Sequence, residues 1–329
     1  MKSNLISYLD IWGFEQDFVI FKDGSLGFGL SCSPLDVSAW SDNQLNNLSR
    51  KIGSFLNAIP EGLDIQFVQE IEAGNNDVIN KYKNYVKVDQ DNFAFRMTEG
   101  RLQHYKKLDE EGLLPRHGLK LFVRKKLESS LAPRTNLFAK PKDFIAISKE
   151  RLSNEIQLTS RIRIDLMSNL EALGVRTGEI HTETLVNQIF QQWNPTHSSG
   201  LGSYDPEDIR PNLLFTDVGI NPLGFTLSNL HYRMISLKLL PDQTISTMAS
   251  QLRELPFDSK LLLTVHVPNQ MKELENLKTQ RRVAYSMVAG KRGVSDLESE
   301  AKFKDLEAYP MQNIIIRFSS FPYSDGCCH

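Results

Sequence analysis

Apolar and polar positions change period several times along the chain, and each change marks an element. Asp17–Lys22 (DFVIFK) and Ser25–Ser31 (SLGFGLS) are β-prone runs on either side of Asp23-Gly24. This predicts a hairpin closed by a type I′ turn, which needs positive φ at both central residues. Gly27 and Gly29 alternate with Phe28 and Leu30, which predicts a close backbone approach or a bulge. Ser41 reads as an N-cap for a helix with Leu45, Leu48, Ile52, Phe55, Leu56 and Ile59 in one stripe, stopped by Pro60. Leu63–Glu70 alternates at period two and reads as a strand. Residues 74–91 are polar and predict a loop with some helix. A helix follows over about Asn92–Leu108, then a strand over His117–Leu127.

Ser129–Lys142 carries Pro133 and Pro141 with no period, and reads as a connection. Ser148 opens a long helix to Leu173 with Leu152, Ile156, Ile162, Leu166 and Leu170 on one side. Arg151 stands where a capping box wants Glu or Gln, and Gly174 supplies a C′ stop. Thr182–Trp193 predicts another helix, and Asn194–Asn212 a long exposed Gly/Ser/Pro loop. The last third reads as strand His231–Leu240, helix Gln243–Leu255, strand Lys260–Val267, and a helix from Pro268 to about Ala289. A helix capped by Ser295 and strand Asn313–Phe318 complete it. The order hairpin, helix, strand, helix, strand thus has a rough counterpart at the C-terminal end. The expected class is α+β: two mixed lobes, each a mostly antiparallel sheet covered by helices, joined by a helical segment. The boundaries follow: residues 1–128 a first lobe, 129–228 the connection, and 229–329 a second lobe.

Composition narrows the function classes. With 38 basic against 40 acidic residues the formal charge is -2, which argues against a partner held mainly by phosphate neutralisation. No apolar run reaches the roughly 18 residues a membrane helix needs. The N-terminal stretch is broken by Asp10 and Glu15 and does not read as a signal peptide, so a cytoplasmic location is expected. Three cysteines, two of them adjacent at the end, give no disulfide framework.

Several residue groups were weighed for chemistry. His181 beside Glu179 and Glu183 matches no metal-binding spacing and reads better as a solvated helix start. Cys327-Cys328-His329 carries soft-metal ligand types, but reads as a terminal tail. His231 and His266 lie in predicted strands without a nucleophile motif nearby, and read as core or edge histidines. Gly24, Gly27 and Gly29 lack the spacing and following helix of a dinucleotide fingerprint. A nucleotide P-loop needs G-x-x-x-x-G-K-[ST]. The only Gly-Lys pair is Gly290-Lys291, with Arg292 after it and Tyr285 at the first glycine position. Lys278, Arg281, Arg282, Lys291 and Arg292 form a basic cluster suited to an acidic partner or anionic head groups, or to a solvated face shared with Glu273 and Glu275.

A resemblance emerges from the order of these elements. The opening YLDIWGFEQDFVIFKDGSLGFGL, the segment Ile59–Val68 (IPEGLDIQFV), the strand-and-helix run HYRMISLKLLPDQT and RELPFDSKLLLTVHVPNQMKELENLKTQRRVAYSM, and the helix SDLESEAKFKDLEAY resemble the TraC-like branch of type IV secretion and conjugal transfer ATPases. Leu277, Arg281 and Arg282 match that family's L-x-x-x-R-R element. The resemblance implies the family's N-terminal domain, which docks the motor on inner-membrane channel components. Arg281 and Arg282 are then the candidate partner-binding residues, with no catalytic, cofactor-binding or metal residue in this chain. ATP and magnesium would belong only to the RecA-like motor, whose Walker residues have no counterpart here. The partners implied are inner-membrane components of the secretion complex, with homo-oligomerisation through the full-length ATPase. Direct nucleic-acid binding is not expected, and membrane association would run through those partners. The family pattern departs near Pro310, and the unpatterned residues Ser319–His329 favour a truncated reading frame; an artificially shortened chain, a disrupted or split gene and a stand-alone domain are the competing explanations. A hydrolase using His231 or His266, or a single-stranded-DNA binder, are the alternatives.

Overall fold

Two consecutive tight turns start the fold. In the computed structural model, which describes residues 9–37, 39–85, 93–126, 148–197, 200–202, 209–222, 224–235, 257–290 and 317–319, β1 (Ile11–Glu15), β2 (Phe18–Phe21) and β3 (Leu26–Cys32) form an antiparallel meander. The hairpin predicted around Asp23-Gly24 is present, but its turn differs. Only Gly24 has positive φ there (77°). Gly24 N–H donates to the Phe21 carbonyl at 2.9 Å and Phe21 N–H to the Ser25 carbonyl at 3.0 Å. That is a three-residue loop ending in a left-handed glycine, a G1 bulge. The two-residue turn with both central φ positive lies one hairpin earlier, at Gln16 (50°) and Asp17 (65°), where neither residue is glycine.

The remaining strands join the same sheet. β4 (Leu63–Ala73) and β5 (Pro115–Lys125) pair along their whole length, and β5 also pairs with β3. The order is β1-β2-β3-β5-β4-β10-β11, with β6 (Thr177–Ile180) pairing β3 beside β2, and every pair is antiparallel. β10 (Ser259–His266) lies along β4, and β11 (Arg317–Ser319) on the outer edge of β10. The class is therefore α+β with an antiparallel sheet, as the pattern implies. The expected assignment of strand Lys260–Val267 to a second lobe's own sheet differs from what is found, because this strand completes the sheet built by residues 11–125. The reason lies in cross-strand rows: Phe28, Val123, Ile65 and Val265 stand side by side, as do Leu30, Leu121, Phe67 and Leu263. Without β10, β4 would be an open edge and the buried Ile65 would lose Val265 as its cross-strand neighbour.

Two helices cover that face. α1 (Asp42–Asn57) starts at Ser41, whose backbone N–H donates to Gln44 Oε1 at 2.9 Å, and buries Phe55. α4 (Lys149–Ala172) is capped by Ser148 Oγ, which accepts from Arg151 N–H at 3.4 Å. It ends in a Schellman motif: Gly174 (φ 91°) donates to Glu171 and Val175 to Leu170. Its predicted stripe of Leu152, Ile156, Ile162, Leu166 and Leu170 packs into the core with Phe55, Ile59, Leu63, Ile65 and Leu121. Lys125 points into this side and is neutralised by Glu155 of α4 at 2.5 Å. α5 (Thr182–Trp193) covers the opposite face near β2 and β3, packing Leu185 and Ile189 with Val19, Phe21, Phe122 and Ile180. The region expected to be a connection thus supplies helices to both faces.

The predicted exposed loop Asn194–Asn212 is not wholly exposed. Asn194 is fully buried and accepts from Phe215 N–H (2.8 Å) and Thr216 Oγ1 (3.0 Å) through Oδ1, while its Nδ2 donates to the carbonyls of Phe190 and Leu213 (2.8 Å each). Ile209, after a few undescribed residues, is fully buried against Val186 and Leu213. β7 (Val218–Asn221), β8 (Gly224–Leu227) and β9 (Leu230–Tyr232) form a separate three-stranded meander. α2 (Asn76–Tyr85) and α3 (Phe93–Glu110) form a helical arm between β4 and β5. α6 (Gln270–Gly290) follows β10. The helices predicted over Gln243–Leu255 and from Ser295, the connection Ser129–Lys142 and the boundary near Pro310 lie outside the described residues. So do residues 236–240 of strand His231–Leu240, the beginning of Asn313–Phe318 and the Cys327-Cys328-His329 tail.

Candidate interaction surface

The candidate residues Arg281 and Arg282 both lie on α6. Asn269 caps this helix, its Oδ1 accepting from Lys272 N–H at 3.0 Å, and its Nδ2 reaches Glu61 Oε2 at 3.0 Å. Helical spacing then separates the two arginines. Glu273, Leu274, Leu277 and Arg281 form a half-buried stripe, whereas Met271, Glu275, Lys278 and Arg282 form an exposed ridge. Arg281 therefore belongs to the helix's less exposed side, and Arg282 faces solvent. Lys291 and Arg292 lie outside the described residues. Met271 is 68% exposed, so the ridge carries an apolar side chain beside cationic ones. β10, which precedes α6, leaves Leu262 48% and Leu263 46% exposed.

Polar groups on the open face of the sheet, by contrast, are matched to one another. Glu70 on β4 holds Lys120 of β5 at 2.6 Å and Lys260 of β10 at 3.1 Å. Burial pushes the Glu70 carboxyl up, but the hydrogen bonds and charges of the two lysines outweigh it and keep it below the ordinary value. Asp64 takes His266 Nδ1 and, at 3.2 Å, Lys126 Nζ. Gln66 Nε2 donates to Thr264 Oγ1 at 3.2 Å. This ladder ties β10 to β4 and β5 and accounts for His266 as a paired sheet residue.

The other candidate groups fall into structural roles. His181 is the N-cap residue of α5, and its Nδ1 lies 3.0 Å from Asp17 Oδ2. His231 is exposed on β9 and lines a recess of about 530 Å³ together with Asn221, Pro222, Gly224, Phe225, Tyr232 and Arg233. Gly27 and Gly29 do not border an open cradle. A Cβ at Gly27 would meet the Phe21 ring at 2.8 Å and the Val123 carbonyl at 2.9 Å. At Gly29 it would meet Phe122 at 3.1 Å and Ile180 at 3.2 Å. The expected close approach is thus made by side chains of β2, β5 and β6 and by the Val123 backbone carbonyl. The Cys32 thiol is half-buried, and burial pushes it up to about 11. Among the described residues no cluster of His, Cys, Asp and Glu could hold a metal ion, and no helix is long and apolar enough to cross a membrane.

Sequence reasoning missed Arg124 and its partners. This β5 residue reaches Asp23 Oδ2 at 2.9 Å, Ser25 Oγ at 2.8 Å and Asp10 at 3.5 Å, with its guanidinium 4.2 Å over the Phe21 ring. It clamps the KDGS turn from the neighbouring strand. Burial pushes Asp23 up, and the Ser25 hydrogen bonds with the Arg124 charge reverse this and hold it below 3.8. No family model matches the chain, and no curated protein matches it.

Proposed function

We propose that this chain is a non-catalytic docking and assembly domain of the kind found at the N-terminus of TraC-like type IV secretion ATPases, tethering a motor to inner-membrane channel components. The observation that carries the reading is the contrast on the β10–α6 segment. The sheet's charges are satisfied by each other, while on α6 Met271 and the Arg282 ridge face solvent, and β10 leaves Leu262 and Leu263 half-exposed on its two opposite faces. Exposed apolar side chains rimmed by charge mark an interaction surface better than a reaction centre. The same segment carries Leu277, Arg281 and Arg282, which match the family's L-x-x-x-R-R element. Arg282 is the contacting residue in this reading, and Arg281 positions the helix.

A photo-crosslinker placed at Met271 or Lys278, in cells carrying a conjugation apparatus, tests it. The expected adducts join this chain to inner-membrane components and disappear when Arg281 and Arg282 are reversed to glutamate. Intact complex assembly in the double reversal, with unchanged adducts, contradicts the assignment of these residues.

A further inference from the structure

The turn between β1 and β2 holds Gln16 and Asp17 at φ 50° and 65°, a conformation that residues with a Cβ avoid. Something must hold it there. Asp17 Oδ1 accepts the Thr182 N–H at 2.8 Å, and Oδ2 lies 3.0 Å from His181 Nδ1. The first turn of α5 is thereby capped from another element, since His181 makes no side-chain cap bond of its own. Beneath this contact lies the apolar interface between hairpin and helix: Ile11, Phe14, Val19 and Phe21 against Leu185 and Ile189.

We infer that Asp17 and His181 form an interlock between the β1–β2 turn and α5, holding the hairpin against the helix while His181 is protonated and loosening it when His181 becomes neutral. The charged groups facing the imidazole among the described residues are Asp17 on the turn, Glu179 on β6 and Arg163 on α4. The hydrogen bond to Asp17 and the Asp17 charge raise His181 above its ordinary 6.5, and Arg163 opposes them weakly. The hydrogen bonds from His181 and Thr182 lower Asp17 below 3.8. The signs are opposite. The His181 contribution is complete below 6.5 and fades as pH rises through its raised value. The Asp17 contribution is complete above 3.8 and fades as pH falls through its lowered value. The interlock is tightest between the two and slackens on the alkaline side.

Amide hydrogen exchange on the full chain at about pH 5.5 and about pH 8, corrected for intrinsic rates, reads the interlock directly, because these values bracket histidine titration. Amides of Phe14–Phe18 and Thr182–Val186 are compared with those of β4 and β5. The expected opening of the first set rises about two- to five-fold toward alkaline pH, the range for an exposed ion pair, with β4 and β5 unchanged. H181Q is expected to remove that rise. D17G relieves the backbone while deleting the carboxylate, and is expected to open the same amides at both pH values. D17N keeps a cap acceptor in a conformation asparagine tolerates, and is expected to lose the pH dependence alone. An H181Q or D17N protein that keeps the wild-type pH dependence, or a D17G protein as protected as wild type, overturns the inference.

Discussion

Single residues decide where this sheet can be approached closely. Gly27 is the sharpest case, because the obstacle to a Cβ includes the Val123 carbonyl, which is backbone and cannot swing away. Gly27→Ala is expected to cost about 1–3 kcal/mol through overpacking, read as a lower urea midpoint with unchanged slope. Asn194 is expected to matter more than its place in a loop suggests. Its side chain serves four partners, and Asn194→Ala leaves the Phe215 N–H, the buried Thr216 hydroxyl and the carbonyl of buried Leu213 without it. A loss of at least about 2 kcal/mol is expected, since each orphaned buried group costs roughly 1–3 kcal/mol. Asp23 gives a pH signature. Its pKa is lowered in the fold, so its contribution is present above 3.8 and fades as pH falls through the lower folded value. Arg124→Ala removes the cation that helps lower it, and the acid unfolding midpoint is expected to move to higher pH. The asparagine and arginine roles were not legible in the sequence, because both depend on partners far along the chain.

Elements with local signals were legible. Ser41, Ser148 and Gly174 mark the ends of α1 and α4, since caps and left-handed glycines act within a few residues. The apolar stripe of α4 was legible for the same reason, and its two sides should respond differently. Ile156→Ala is expected to cost about 2–5 kcal/mol, whereas Leu158→Ala, at a position 46% exposed, should change stability by less than about 1 kcal/mol. Equilibrium denaturation of the two variants checks the helix's orientation. The short strands β1, β6, β7 and β8 were not legible. Each has four or five residues, too few for a period to show, and β6 exists because Gly29–Cys32 offers it a free edge. The Gln16-Asp17 turn carried no glycine or asparagine signal, since its conformation is sustained by α5.

At the scale of the molecule, the α+β class followed from the alternation of strand and helix periods, but the partition into lobes did not. Strand–strand pairing between residues 64–71 and 259–266 spans nearly two hundred positions, and periodicity carries no information on which edge a strand will choose. The candidate surface inherits this arrangement: α6 and its Arg282 ridge hang from β10, and β10 is fixed by β4 and the Glu70 lysines. The most direct test is a disulfide between the directly opposed residues Val68 and Leu262, in a protein whose native cysteines are replaced by serine. Mild oxidation of V68C/L262C is expected to give an intramolecular cross-link, seen by mass and by faster migration without reductant. A folded protein in which V68C/L262C stays reduced under those conditions would contradict a sheet shared by the two ends of the chain.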